Sequence, residues 1–550
     1  MTLRLRALHS LVLLVGFWLM GAMLLVAMTV VDWLLVTRVF TAEAAWGGGV
    51  AFVVTGLVAV AILKGMFAFV GAGRLGSVPH AVAVGPQDQP ELWEQVRAAA
   101  EVAGERPPEE LYLVADVNAG VSEQSRFLGL LSGPRRMLLG VPLLAGLTVP
   151  RLRAVLAHEF GHYANLDTRR LGAVTMRGRA AVLHTVEAFR DGSTRLHFVI
   201  GSLYAGYARM FLRASQAVAR QQELAADQVA ARHAGRDATA AALRLLPILG
   251  AAHAYYLKTY ASMGGPLDAL PPVGQVHGGF HQMLAALTRE RLAALGAGTR
   301  PPQPHQYDSH PPDGERIALI EQLPSDGRSD GSADEPAALT LLRDRERVFT
   351  ELEARTLPPE TSRLRRMTWD DLVMARALAD ADGWARPLRV AVERALRSAE
   401  HGADGAGSAR RDAPAEAEAS DALPELEEVL DAFDSGLLWM ATADRMPKPH
   451  QASRLVGASA RNFIRPRIFD GLAGMVHLRL AGTGHATSDI AWAGQPGLAL
   501  PEAWEQGMDD ALDAAVADTP DTAPLRALLA GHTPAGIRQC PPAAEPIKRG

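Results

Sequence analysis

The chain has 550 residues, enough for two or three domains, with 55 Lys and Arg against 60 Asp and Glu and a net charge of −5. That balance excludes an electrostatic case for nucleic acid as a partner. A single cysteine, Cys540, excludes an intrachain disulfide and is compatible with a reducing compartment.

The apolar residues are unevenly spread. Leu8 to Val31 runs 24 residues without a charged side chain other than His9, which is long enough to cross a bilayer. A second apolar run, 46–73, is interrupted by Lys64, which lies near enough to one end to snorkel to the interface. Arg4 and Arg6 precede the first run and Arg74 follows the second, so the basic residues favour a cytoplasmic N-terminus and a return to the cytoplasm after two spans. The triplet Ala42–Glu43–Ala44 has the form of a signal-peptide cleavage site, but the preceding run is too long for a signal h-region.

The stretch "LTVPRLRAVLAHEFGH" is predicted as a helix. Thr148 is a candidate N-cap, Pro150 falls in the first turn, and Leu152, Val155, Leu156 and Phe160 recur at helical spacing. On that helix His158 and His162 share a face one turn apart, where both imidazoles can reach one metal ion. Glu159, at the edge of the same face, can act as a general base instead of a ligand. A catalytic zinc needs a third protein ligand. Position 168, where one further His could serve, is Thr168. The Ala-rich helical segment "ARQQELAADQVAARHAG" supplies Glu223 and Asp227 at i,i+4. One of the two can ligate and the other can orient a ligand imidazole. The apolar stretch Leu196 to Phe211, which contains Arg209, is short for a span and reads as a buried or interfacial helix. His277 and His281 also lie four apart, but Gly278 and Gly279 weaken a helix there and no Glu sits between them, so the pair reads as structural.

"LRAVLAHEFGHYANLD", "QELAAD" and "DSHPPDGERI" together resemble the HtpX-like and CAAX-prenyl-protease-like family of membrane-associated zinc metallopeptidases over roughly residues 80 to 320. The resemblance implies a mainly α, gluzincin-type metallopeptidase domain with a small β-sheet, holding one zinc ion per chain. It implies Glu223 as third zinc ligand beside His158 and His162, with Asp227 as its companion behind the ligands and Glu159 as general base. It also implies a catalytic role for His310 and Arg316. In relatives the equivalent His serves either the oxyanion or a closed-state zinc contact. "LYLVADVNAGVSE" resembles the family's edge strand, in which Asn118 and Ala119 would help align substrate backbone, and "RRMLLGVPLLAGLTVPRL" resembles the strand and turn that lead into the active-site helix.

Beyond about residue 325 the resemblance ends. Leu323 to Pro336 reads as a linker and 400–425 as a low-complexity loop. Helices are predicted from Thr368, over "PELEEVLDAFDSGLLWMATA" and over "PEAWEQGMDDALDAAVADTPDTAPLRALLAG", while "GMVHLRLAGTG" reads as a strand or hydrophobic turn. His477 and His485 have nothing nearby to complete a metal set.

The reading is thus a membrane anchor with two spans (1–75), a zinc metallopeptidase domain (76–325) and a helical C-terminal extension (326–550). The protein is expected to be a multi-pass cell-membrane endopeptidase whose cytoplasmic catalytic domain acts on protein or peptide substrates, in the manner of membrane quality control. Two rivals are a membrane-anchored sensor or binding protein with a silent zinc site and a scaffold with an accidental histidine pair. The intact Glu159 argues against the first, and the "ELAAD" and "HPP" elements argue against the second.

Overall fold

The computed structural model describes residues 3–39, 52–60, 62–63, 77–126, 131–164, 178–179, 182–183, 185–187, 189, 195–297, 311–328, 335–403, 423–447 and 457–531. It is mainly helical with small sheets. Two compact units form: Met1–Leu257 with Val273–Ser362, and Lys258–Pro272 with Arg363–Gly550.

In the first unit, helix α1 (Leu3–Leu34) takes up the long apolar run. Of the second apolar run only 52–60 and 62–63 are described, and they are helical. Strand β1 (Val82–Val84), helix α2 (Pro90–Val102) and strands β2 (Glu110–Val114), β3 (Ala119–Arg126) and β4 (Leu131–Gly140) follow. The sheet order is β1-β2-β4-β3, with β2 and β4 parallel and the two outer pairs antiparallel. β3 is therefore an edge strand. After β4 the chain makes a short helix, α3 (Val141–Gly146), and enters α4 (Val149–Ala164), which carries the histidine pair. Leu152, Leu156 and Phe160 of α4 pack with Trp93 and Val96 of α2, Leu111 and Leu113 of β2, and Met137 and Leu139 of β4 in one buried core. The apolar stripe of the helix thus faces the sheet, as its spacing requires.

Thr148 does not cap α4 with its side chain. Its carbonyl accepts from Leu152 N–H at 2.9 Å, while the backbone on either side pairs with Pro336 and Ala338. The expected linker ends in that pairing. Ala338, Leu339, Leu342, Val348, Phe349 and Leu352 then join the first unit's core, so residues 335–362 fold with it.

Helix α5 (Arg195–Ala234) is unbroken for 40 residues and contains both the apolar stretch at 196–211 and the Glu223–Asp227 segment. Helix α6 (Arg236–Tyr256) packs against α4 and against α9 (Asp313–Glu321). Helix α7 (Gln275–Ala286) forms despite Gly278 and Gly279. A Cβ at Gly278 would lie 2.7 Å from the Phe349 ring, so the glycine is what lets that ring close on the helix. Helix α8 (Arg289–Ala297) lies between α7 and α9 in the chain.

Among the described residues, two helices are long and apolar enough to cross a membrane. Leu8–Arg38 has a mean hydropathy of 2.5 and Arg236–Leu267 one of 1.2. The first supports membrane association. The second contains α6, which is charged at Asp237 and Arg244 and packed among α4 and α9.

The second unit is built on α10 (Trp369–Ala403) and α11 (Gly457–Gly482). Thr368 caps α10, its hydroxyl accepting from Asp371 N–H at 3.1 Å. "GMVHLRLAGTG" is neither strand nor turn: nearly all of it is the end of α11. Tertiary packing decides this. A Cβ at Gly474 would sit 2.4 Å from the Ala381 carbonyl, so α11 lies directly on α10 there and buries Met475, Val476 and Leu480. The low-complexity loop falls largely outside the described residues, at 404–422.

Candidate metal centre

The core stripe of α4 leaves His158, Glu159 and His162 half-buried on the side away from the sheet. The two imidazoles stand edge to face with centroids 4.7 Å apart. Glu223 arrives from α5, buried, with carboxylate oxygens 3.6 Å from His158 Nε2 and 3.9 Å from His162 Nε2. One donor atom from each of the three residues lies within 4.8 Å of the others. Two donors on a tetrahedral zinc with bonds of about 2.05 Å stand about 3.3 Å apart, so the set fits the ion with small closing movements. Among the described residues no other group of three His, Cys, Asp or Glu side chains converges in this way.

Close helix packing makes the convergence possible. Gly161 lies inside the "HEFGH" pattern and Ala226 inside "ELAAD". A Cβ on Gly161 would sit 2.7 Å from Ala226 Cα and 3.1 Å from its Cβ. The small residues within the two patterns therefore let α5 approach α4 near enough for Glu223 to reach the histidines.

Behind the ligands, His158 Nδ1 meets Asp227 Oδ1 at 3.0 Å. That bond fixes Nδ1 as the protonated nitrogen and turns the Nε2 lone pair toward Glu223. Arg316 on α9 is buried and grips Asp227 with two bonds, Nε to Oδ2 at 2.9 Å and Nη2 to Oδ1 at 2.7 Å. The same Nη2 lies 3.6 Å from Glu223. Burial alone would raise the Asp227 carboxyl, but the hydrogen bonds from Arg316 and His158 outweigh it and hold the group down at about 2. Asp227 is thus a carboxylate at any physiological pH. His310 lies outside the described residues.

The edge strand β3 is tied to this centre. Tyr163, next to His162, donates its hydroxyl to the Val121 carbonyl at 2.7 Å. Ala119 opens the strand opposite Leu139. The Asn118 carbonyl accepts from Gly140 N–H at 2.7 Å, and a Cβ on Gly140 would strike the Asp116 carbonyl at 2.1 Å, so this position admits only glycine. Sequence reading missed Gly140, Gly161 and Tyr163. The only available signal was their position, beside or inside stretches already singled out.

The second histidine pair does other work. His277 Nε2 bonds the Thr356 hydroxyl at 2.7 Å, and His281 Nδ1 bonds the Gly278 carbonyl one turn back on the same helix. Burial, reinforced by nearby His253 and opposed by Asp116, lowers the His277 pKa to about 4, so it is neutral at pH 7.

A scan of protein families matches residues 86–323 to peptidase family M48. Searches of curated proteins and of solved structures find no match. The matched span takes in strands β2, β3 and β4, α4, α5 and Arg316. With its His158, His162 and Glu223 zinc site intact, this part of the chain belongs to the M48 zinc metallopeptidases.

Proposed function

We propose that the protein is an integral-membrane zinc endopeptidase with its catalytic centre on the cytoplasmic side, acting on membrane proteins or segments released from them. The observation that carries the reading is the convergence of His158, His162 and Glu223 with an intact Glu159 beside them and a tethered edge strand nearby. Zinc in this set would supply Lewis-acid polarisation and an acidified water. Glu159 accepts a proton from the attacking water and passes it to the leaving amine. Arg316 acts through Asp227: it fixes the carboxylate that fixes the His158 tautomer. His310 precedes Pro311 and Pro312 in the sequence, a context that disfavours helix, and would serve as a group that reaches the developing oxyanion or closes the resting site. Residues 118–121 at the start of β3 would hold an extended substrate by backbone hydrogen bonds, a mode that reads main chain more than side chain.

The test is zinc content and casein cleavage by detergent-purified full-length protein, with and without chelator. About one zinc per chain with chelator-sensitive cleavage is expected, and Glu159→Gln should keep the zinc and lose the cleavage. Zinc without cleavage in the wild type would favour the silent-site sensor.

A further inference from the structure

We propose that the N-terminal half of α5 is embedded in the bilayer beside α1, and that this unbroken helix sets the height of the zinc centre above the membrane, so substrates are cut at a fixed distance from their own membrane segment. The second part rests on the endopeptidase reading and the first does not.

From Leu196 to Ala208, α5 carries no Asp, Glu, Lys or Arg. Phe198 is 75% exposed and Val199 63%, and Leu203 and Met210 are also exposed. These side chains continue the exposed apolar surface of α1, which includes Val12, Val15, Leu19 and Met23. The inner faces of the two helices pack together. Tyr207 donates its hydroxyl to the Leu13 carbonyl at 2.8 Å, and the rings of Phe17 and Tyr204 meet edge-on at 5.1 Å. A Cβ at Gly16 would lie 2.2 Å from the Tyr207 hydroxyl, so glycine is needed for this contact. Leu13 faces Tyr207 and Phe17 faces Tyr204, so the helices run antiparallel.

That register sets where the paired apolar surface ends. The start of α1 falls level with Arg213 of α5, one turn beyond Arg209. Arg209 and Arg213 are exposed. A basic belt at the end of a paired apolar surface is what a membrane interface selects, because long cationic side chains keep their charge in the headgroup layer. The fitting occupant of the exposed face is therefore lipid.

Glu223 lies 10 residues beyond Arg213 and 14 beyond Arg209 on the same helix. At 1.5 Å per residue that places the zinc ligand about 15–20 Å above the belt. An extended peptide gains about 3.3 Å per residue, so a chain leaving the bilayer needs about five or six residues to reach the centre.

The experiment has two arms, both on full-length protein reconstituted in phosphatidylcholine–phosphatidylglycerol vesicles. In the first, Cys540→Ser protein carries one spin label at 199, 203, 206, 216 or 220. Labels at 199, 203 and 206 should be relaxed by oxygen and not by a water-soluble nickel chelate, and those at 216 and 220 the reverse. Chelate access at 199–206 overturns the embedding, as does exclusion of both probes, which would mean a protein covers the face. In the second, transmembrane model substrates carry spacers of 0 to 12 residues before a casein-derived sequence. Cleavage should begin at about five or six residues, with the cut staying at that distance as the spacer grows. A cut that follows the sequence instead overturns the fixed distance. Failure to cut either these substrates or soluble casein overturns the peptidase reading and with it the fixed distance, while the labels still decide the embedding.

Discussion

Gly161→Ala should cost the protein its zinc without touching a ligand. The added Cβ would stand 2.7 Å from Ala226 Cα, 3.1 Å from its Cβ and 3.2 Å from its carbonyl oxygen. A comfortable carbon–carbon contact is about 3.8 Å, so the helices must part by about 1 Å. Two of these three atoms are helix backbone and the third is the Cβ fixed to it, so none can step aside as a longer side chain can. Overpacking of this kind costs about 1–3 kcal/mol. The larger consequence is at the metal. Zinc tolerates errors of about 0.2 Å in ligand distance, and Glu223 rides on the helix that is pushed away. We expect zinc affinity to fall about 10- to 100-fold, in line with other disturbances behind the ligands. Competition with a fluorescent zinc chelator on purified protein measures this directly. Adding Ala226→Gly removes the 3.1 Å contact but not the one to Cα, so it should restore part of the affinity and not all of it. Wild-type zinc affinity in Gly161→Ala would refute the claim that this close approach brings the ligands together.

Glu223→Ala should lose the metal, whereas Glu159→Gln should retain it and cut peptidase activity by at least about a hundredfold, read as zinc content against casein turnover. Arg316→Met leaves Asp227 buried without its cation and should destabilise the fold by about 3–5 kcal/mol, visible as a lowered thermal midpoint. His277 titrates near 4 in the folded protein and near the usual 6.5 when unfolded. The unfolded chain therefore binds the extra proton first as pH falls, and stability present above about 6.5 is lost toward pH 4, by at most about 3 kcal/mol. His277→Gln should flatten that part of the pH–stability curve, and an unchanged curve would show that the imidazole is not held neutral. Reporter fusions after Arg74 should read cytoplasmic and fusions near Ala42 exported, and the reverse pattern would put the catalytic side outside.

What could be read from the sequence was what helical spacing alone determines. His158 and His162 sit one turn apart whatever surrounds them, and so do Glu223 and Asp227. The apolar run of α1 likewise needs no partner to be recognised. What could not be read depended on a neighbour far along the chain. Thr148 has the right residue type for a cap, yet its hydroxyl does not cap the helix, and the backbone of Leu147 and Val149 on either side is paired with Ala338 and Pro336. Residues 335–362 follow a linker-like stretch, but Phe349 and Leu352 complete a core begun at Trp93. The run at 474–482 contains Gly and Val, which disfavour helix, and α10 nonetheless holds it helical. In each case packing between distant segments overrode a local preference of about 1 kcal/mol or less per residue.

The pair Glu223 and Asp227 shows how such a distant neighbour can settle a chemical role. On the helix the two carboxylates are equivalent: both face α4, both are buried, and either could bind a metal. An acidic side chain one turn from a ligand is a rival ligand. Arg316, from a helix 89 positions along the chain, removes the equivalence. Its guanidinium engages both oxygens of Asp227, and the remaining bond of Oδ1 goes to His158 Nδ1. A carboxylate so occupied and held near pKa 2 has little reason to turn to a metal, and the imidazole it orients presents Nε2 to the same point as Glu223. The guanidinium also offsets the repulsion that two buried carboxylates would otherwise suffer before the metal arrives. The division of labour between the two acids is therefore a property of α9 as much as of α5, and for that reason the spacing within "ELAAD" could narrow the choice of ligand to two residues but could not make it.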